Sequence, residues 1–177
     1  ARRAGRKRAR GAPARARHAG AVARGRRGSA LRCESGGRVG GPLGTGAVID
    51  HAGSDVYQCG DKYPSPFSQQ EAPAAKPGDP NFQYLCFGMG SGAGVDGSSA
   101  KADAQLPNLA GGLGYLIDLE GQDQYRGGNM TQGSGYAFGV GVALDLDGDD
   151  TRTGGRTSLG AAGHYGTGLF VDGQGSD

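Results

Sequence analysis

The fold is decided by the segment Gly112-Leu-Gly-Tyr-Leu-Ile-Asp118, which returns as Gly139-Val-Gly-Val-Ala-Leu-Asp145 and as Gly166-Thr-Gly-Leu-Phe-Val-Asp172. The spacing is constant, since 145 − 118 and 172 − 145 are both 27, and a second aspartate follows each first one at Asp123, Asp150 and Asp177. Because glycine makes up 38 of the 177 residues, the matched aspartates argue for a repeat more strongly than the matched glycines. A fixed period of this length is typical of solenoids, propellers and other repeat arrays.

Two further copies lie upstream. Gly44-Thr-Gly-Ala-Val-Ile-Asp50 keeps the pattern, including the second aspartate at Asp55. Gly90-Ser-Gly-Ala-Gly-Val-Asp96 keeps the first half and lacks the second aspartate. We therefore expect four or five coils, with an insertion after the first.

The sequence of each copy predicts a short strand followed by a tight turn that contains Asp and Gly. Alternate side chains of a strand point to opposite faces, so Tyr115, Ile117 and Leu119 share one face. That face is apolar in every copy, which predicts that it faces the core. The equivalent residues in the other copies are Ala47, Ile49, Val142, Leu144, Leu146, Leu169 and Val171.

The predicted fold is all-β. No segment has a helical periodicity long enough to predict a helix, and the high glycine content disfavours helices further. Short strands that return once in each period predict a right-handed parallel β-helix, or solenoid, with 27-residue coils over residues 39–177. In such a fold each coil buries its apolar face against its neighbours.

Stacked coils bring equivalent aspartates about 4.8 Å apart, which is the spacing between neighbouring strands. Like charges at this distance repel each other by roughly 0.9 kcal/mol in water and by several times more near protein, so the columns favour a counter-cation. Oxygen ligands on turns suit Ca²⁺. The alternative is that the aspartates only cap turns and face water. The predicted metal ligands are Asp50, Asp55, Asp118, Asp123, Asp145, Asp147, Asp149, Asp150, Asp172 and Asp177, with the densest group at residues 145–150.

The sequence resembles one family of calcium-binding repeats. Gly121-Gln-Asp-Gln-Tyr125 and Gly53-Ser-Asp-Val-Tyr57 are similar to the G-x-D-x-bulky half of the RTX nonapeptide, although the leading Gly-Gly of that repeat is absent. The resemblance implies a parallel β-roll with Ca²⁺ in its turns.

A second resemblance covers a single copy. The stretch from Phe138 to Asp149 looks like an FG-GAP repeat of integrin-type propellers, although Asp150 stands where that loop needs glycine. This resemblance implies an adhesion domain with Ca²⁺ bound in a DxDxDG-type loop.

The charge is strongly divided along the chain. Residues 1–38 hold 13 Lys/Arg and one acid (Glu34), whereas residues 39–177 hold 6 Lys/Arg and 16 Asp/Glu. The first segment has few large apolar residues, which predicts a disordered, Arg-rich tail, and its charge suits polyanions. We expect no transmembrane segment.

Residues about 58–89 interrupt the repeat with five of the eight prolines, which predicts a loop that leaves the coil. Cys59 and Cys86 bracket this loop. They are predicted either to form a disulfide across it or to remain free thiols.

The sequence contains no recognisable catalytic constellation, so it does not predict an enzyme. The function that it favours is a structural or interaction module at the cell surface or outside the cell, which binds Ca²⁺ and meets a glycan or a protein. The alternatives are a carbohydrate-active β-helix domain of the lyase or hydrolase type and an FG-GAP propeller fragment. Because the chain stops on the last aspartate of a unit, we expect it to be a fragment with further coils.

Overall fold

The computed structural model describes residues 19–20, 30–32, 39–65, 74–79, 81–97 and 108–177. Within these ranges the chain forms short strands and no α-helix, and no helix there is long and apolar enough to cross a membrane. The strands are β1 (Ala19–Gly20), β2 (Ala30–Arg32), β3 (Thr45–Asp50), β4 (Val56–Gln58), β5 (Tyr63–Pro64), β6 (Tyr84–Leu85), β7 (Gly92–Ala93), β8 (Leu113–Asp118), β9 (Gln124–Arg126), β10 (Gly135–Tyr136), β11 (Val140–Asp145), β12 (Thr151–Thr153), β13 (Ala162–Gly163) and β14 (Thr167–Asp172).

The strands form four small, separate sheets. Three have parallel neighbours, in the orders β1-β3-β8-β11-β14, β2-β4-β9-β12 and β7-β10-β13, and the fourth is the antiparallel pair β5-β6. In the largest sheet Asp50 lies opposite Asp118, which lies opposite Asp145, which lies opposite Asp172. The repeat alignment predicted this register for Asp118, Asp145 and Asp172, whereas it put the copy that ends in Asp96 between Asp50 and Asp118.

The prediction of a single right-handed parallel β-helix, or β-solenoid, with 27-residue coils is wrong, because the strands belong to four separate sheets of which one is antiparallel. The repeat period relates β8, β11 and β14, but β3 pairs directly with β8, although the separation of Asp50 from Asp118 is not a multiple of that period. The copy around Gly92 does not form a strand between β3 and β8. It forms β7, which pairs with β10 in a different sheet.

The predicted core face is also wrong. The buried residues of β8 are Gly114, Leu116 and Asp118, whereas Tyr115 and Ile117 on the other face are half-buried. The core therefore contains the aspartates and, among the apolar side chains, Val48, Leu116 and Ala143, with Tyr57 and Tyr125 packed against them. The outward positions are the more exposed ones, since Leu146 is 43 % and Leu169 is 47 % exposed.

The second glycine of the Gly-x-Gly pattern has a packing reason in β8 and in β11. A Cβ on Gly114 would collide with the Ser91 carbonyl, and a Cβ on Gly141 would collide with the Ser134 carbonyl. The Gly-x-Gly pattern therefore marks the positions where two backbone segments approach closely across the core.

The tail and the insertion are only partly described. Most of the predicted disordered tail lies outside the described residues. The tail does contribute β1, which pairs with β3, and β2, which pairs with β4.

Two contacts hold the insertion against the rest of the fold. Cys59 and Cys86 form a buried disulfide with their Cα atoms 5.4 Å apart, and Asn129 Nδ2 donates to Ser65 Oγ at 2.8 Å.

Candidate metal centre

The first column of acidic residues stands at the carboxyl ends of the strands in the largest sheet. Asp50, Asp118 and Asp145 end β3, β8 and β11 and are 0–4 % exposed, and Asp172 ends β14 and is half-buried. Parallel pairing of equivalent residues puts these four carboxyls on one line inside the fold.

The second column lies five residues further along each unit and is held by the backbone. Asp123 Oδ1 accepts the Asp55 amide at 2.5 Å, Asp150 Oδ1 accepts the Asp123 amide at 2.6 Å, and Asp177 Oδ1 accepts the Asp150 amide at 2.9 Å. We call the strands of one repeat unit a layer. Each carboxylate therefore joins its own layer to the preceding layer by a hydrogen bond. Each of these hydrogen bonds joins two neighbouring repeat units, so this column contributes to the stacking of the layers.

A third column, of two tyrosines and one arginine, runs beside the first. The Tyr57 hydroxyl lies 3.2 Å from Asp50 Oδ2 and 2.6 Å from Asp118 Oδ2. The Tyr125 hydroxyl in turn lies 3.0 Å from Asp118 Oδ2 and 2.6 Å from Asp145 Oδ2. Each ring therefore bridges the aspartates of two neighbouring layers.

Arg152 occupies the equivalent place in the next layer. Its guanidinium donates to Asp145 Oδ2 at 2.6 Å, to Asp150 Oδ2 at 2.8 Å and to Asp172 Oδ2. It also lies 4.2 Å from the centre of the Tyr125 ring, which is itself stacked on Tyr57 at 4.7 Å and 2° from parallel. A cation over an aromatic face is a favourable arrangement. Stacking therefore stabilises the column of Tyr57, Tyr125 and Arg152 along its length, and the hydrogen bonds to the aspartates stabilise it from the side.

Burial dominates the protonation of these groups. It raises the pKa of Asp123 to about 8, and the negative charge of Asp118 adds to the increase. Burial likewise raises the pKa of Asp150 to about 6 and that of Asp172 to about 6, and it raises the pKa of Asp118. Carboxyls of this kind hold a proton at pH values where an exposed aspartate has lost it.

The other members of the cluster keep their protons or charges. Burial and the neighbouring Asp118 charge raise the pKa of Tyr57 and Tyr125 well above the ordinary value, so both remain neutral hydroxyls. Burial by itself lowers the pKa of Arg152, but its hydrogen bond to Asp145 and the surrounding carboxylates outweigh it and raise the pKa. The hydrogen bond from Asp172 lowers the pKa of Asp177.

The carboxyls fall into two groups that are able to hold a metal ion. Oxygens of Asp118, Asp123 and Asp145 lie within 4.8 Å of one another, and all three residues are buried. Oxygens of Asp150, Asp172 and Asp177 form a second such set, which is more exposed. The two sets differ in their counter-charge, because Arg152 contacts two members of the second set and only one of the first.

Eight of the ten predicted ligands lie in the two columns: Asp50, Asp55, Asp118, Asp123, Asp145, Asp150, Asp172 and Asp177. Asp147 and Asp149 do not join them. These two are exposed and line an open groove together with Glu120 and Gln122. The densest acidic stretch of the sequence is therefore divided between the core and the surface.

The bridging residues Tyr57, Tyr125 and Arg152 are not among the ligands predicted from the sequence. A signal for them exists, since each follows the strand aspartate of its own unit at the same offset (50 to 57, 118 to 125 and 145 to 152). The change from tyrosine to arginine hides this position from a search for identical residues.

Comparisons with known proteins do not assign the chain to a family. No protein-family model, no curated protein and no solved structure matches it.

Proposed function

We propose that this protein is a structural or interaction module outside the cell, whose layers are fastened together by Ca²⁺ bound to Asp118, Asp123 and Asp145. The observation that carries the proposal is the approach of three buried carboxyls to within 4.8 Å of one another. Exposed acidic groups are common on proteins, whereas several carboxylates buried close together are disfavoured by desolvation and by mutual repulsion.

The charge balance of this group favours a cation. Among the described residues, Asp118 and Asp123 have no contact with a basic side chain, and their hydrogen bonds are to each other, to the Tyr57 and Tyr125 hydroxyls and to the Asp55 amide. Without an ion the group lowers its charge by keeping protons, as the raised pKa of Asp123 indicates. A divalent cation that displaces these protons removes the same repulsion and gains direct oxygen contacts.

The donor set favours Ca²⁺ over transition metals. All candidate ligands are carboxylate or phenol oxygens, with no histidine or thiolate, and hard cations prefer such oxygens. The RTX-like segments around Asp123 and Asp55 agree with this choice, but the proposal does not depend on them.

The disulfide supports a place outside the cell. Cys59 and Cys86 are paired and buried, and such bonds persist mainly in oxidising compartments. Together with cation-stabilised layers, this supports a rigid module that meets a glycan or a protein at the cell surface. The burial of Asp118, Asp123 and Asp145 keeps them from a polymeric substrate, so we do not propose that they hydrolyse polysaccharides.

The test is calorimetric titration of the full chain with CaCl₂ at pH 7.5, beside thermal unfolding in CaCl₂ and in EGTA. We expect saturable binding, release of protons and a higher Tm in CaCl₂. The Asp123→Asn variant should lose this response and keep the EGTA Tm, because the amide resembles the protonated carboxyl. Asp147→Asn is the matched control, since Asp147 is exposed and lies outside the group. Equal Tm values in CaCl₂ and EGTA for the unmodified chain would end the proposal.

A further inference from the structure

Two short stretches of chain, one after β7 and one before β8, pair with each other. The Val95 amide donates to the Leu109 carbonyl at 3.2 Å, and the Leu109 amide donates to the Val95 carbonyl at 3.0 Å, in an antiparallel bridge. The Gly97 amide also donates to Asn108 Oδ1 at 2.8 Å. We call residues 95–97 and 108–109 the paired arms. A ladder this short is marginally stable by itself, so a modest further contact changes how often it opens.

That further contact comes from a side chain two layers away. Asp96 Oδ2 lies 2.6 Å from His164 Nδ1, and the Asp96 side chain is only 9 % exposed. The pairing of β7 with β10 and of β10 with β13 puts Gly94, Ala137 and His164 at equivalent positions, one residue after each strand. Because the first two of these residues are small, the imidazole has room to reach back across the middle layer to Asp96.

The backbone around His164 is held independently of the paired arms. His164 and Tyr165 have φ values of 50° and 62°, and the equivalent residues Ala137 and Phe138 have φ values of 48° and 62°. The Ala137 amide donates to the Gly163 carbonyl at 3.2 Å, and the Phe138 amide donates to the His164 carbonyl at 3.1 Å. The same corner is therefore built twice and bonded layer to layer, which fixes where the imidazole starts.

The titratable groups described around the imidazole are Asp96 and Tyr136. The Tyr136 and His164 rings lie 4.6 Å apart at 42°, whereas Tyr165, the next residue along the chain, is stacked on Phe138. Burial raises the pKa of Tyr136, and the negative charge of Asp96 adds to the increase, so the phenol stays neutral. A protonated imidazole would therefore meet one carboxylate and one neutral aromatic ring, and both contacts favour a cation.

We propose that Asp96 and His164 form a proton-operated clasp, which joins the paired arms to the layer of β13 when the imidazole is protonated. Histidine changes its charge between about pH 5 and pH 8. With the proton, the contact is a charge-assisted hydrogen bond, which is stronger than the neutral one. The clasp therefore closes as the pH falls, and the paired arms open more often as the pH rises. It does not require the proposed Ca²⁺ group.

Amide hydrogen exchange of the ¹⁵N-labelled full chain in EGTA, followed by NMR at pH 5.5 and at pH 7.5, measures this opening. Protection factors remove the intrinsic effect of pH on exchange. Val142, whose amide donates to the Gly90 carbonyl at 2.9 Å, is the reference for opening of the whole fold. We expect protection at Leu109, relative to protection at Val142, to fall about three- to fivefold from the lower to the higher pH.

Two variants separate the clasp from other effects of pH. His164→Gln and Asp96→Asn keep a hydrogen-bonding side chain but cannot form the ion pair, so each should abolish the pH dependence of the Leu109 to Val142 ratio. His51→Gln removes an exposed histidine elsewhere and should leave that dependence unchanged. An equal ratio at both pH values in the unmodified chain would overturn the proposal, and so would a pH dependence that persists in His164→Gln.

Discussion

The Tyr125 hydroxyl lies 2.6 Å from Asp145 Oδ2 and 3.0 Å from Asp118 Oδ2, between the carboxyls of two successive layers. A hydroxyl has one proton to donate, so it satisfies one of these carboxylates, and the other contact needs a proton on the carboxyl itself. The raised pKa of Asp118 agrees with such a proton. The negative charge of the acidic core is therefore balanced by tyrosine hydroxyls, by protons on the carboxyls and by one guanidinium.

Loss of the Tyr125 hydroxyl should destabilise this network. The Tyr125→Phe variant keeps the stacked ring but removes one hydrogen bond each from Asp118 and Asp145, which keep Tyr57 and Arg152 as partners, and this loss costs about 1–3 kcal/mol in the free energy of unfolding. Urea unfolding measures this loss. Tyr115→Phe, on the opposite and more exposed face of β8, is the control and should change stability by less than about 0.5 kcal/mol. Equal effects of the two variants would contradict the bridging role of the Tyr125 hydroxyl.

Removal of the Arg152 charge should have a larger effect. Arg152→Met leaves Asp145, Asp150 and Asp172 without their cation, and removal of one partner of a buried ion pair typically costs about 3–5 kcal/mol. We expect CaCl₂ to recover part of this loss, because the second carboxyl group then becomes a better cation site. Arg126→Met is the control, since Arg126 is exposed and its hydrogen bond to Gln124 is on the surface. A variant as stable as the parent would show that Arg152 is dispensable.

Stability in metal-free buffer should fall as the pH rises. The folded-state pKa is about 8 for Asp123 and about 6 for Asp150 and Asp172, all above the unfolded value of 3.8. A raised folded pKa gives stability that is fully present below about pH 4 and is lost as the pH rises through 6 and then 8. Asp177 acts in the opposite sense at low pH, because its pKa is lowered.

Urea unfolding in EGTA at several pH values between 5 and 9 measures this dependence. In CaCl₂ the curve should become flatter, because the ion replaces the protons. A free energy of unfolding that rises from pH 5 to pH 8 in EGTA would refute the assignment of raised pKa values.

The disulfide should contribute about 3–4 kcal/mol, since it closes a loop of about 28 residues. The Cys59→Ala/Cys86→Ala double variant, studied by urea unfolding in a Cys33→Ser background, measures this contribution. Replacement of both cysteines avoids a new thiol that exchanges. An unchanged midpoint would mean that the insertion is held by its other contacts, such as those of Asn129.

Close backbone approach at the second glycine of the repeat predicts a strict requirement for glycine. Gly141→Ala should lower the free energy of unfolding by about 1–3 kcal/mol, because the new Cβ collides with the Ser134 carbonyl. Gly41→Ala is the control, since a Cβ at Gly41 meets no other atom within 4 Å. Similar stabilities for the two variants would argue against close packing at Gly141.

The sequence alone determined the strands that end in Asp118, Asp145 and Asp172 and the register between them. Units that repeat at a constant spacing pair equivalent residues when their strands are parallel, so the alignment of Asp118, Asp145 and Asp172 follows from that spacing. It did not determine the order of the strands. The neighbours β3 and β8 are separated by an insertion whose length carries no information about its path.

Only the tertiary structure decided which face of each strand is inside. The alternation of side chains along a strand defines two faces but does not say which face is buried. The apolar residues favoured burial of the face that carries Tyr115 and Ile117. The other face is buried because its aspartates find partners in other layers, namely the Tyr57 and Tyr125 hydroxyls and the Arg152 guanidinium. Such compensation depends on contacts between residues far apart in the chain, which no local pattern contains.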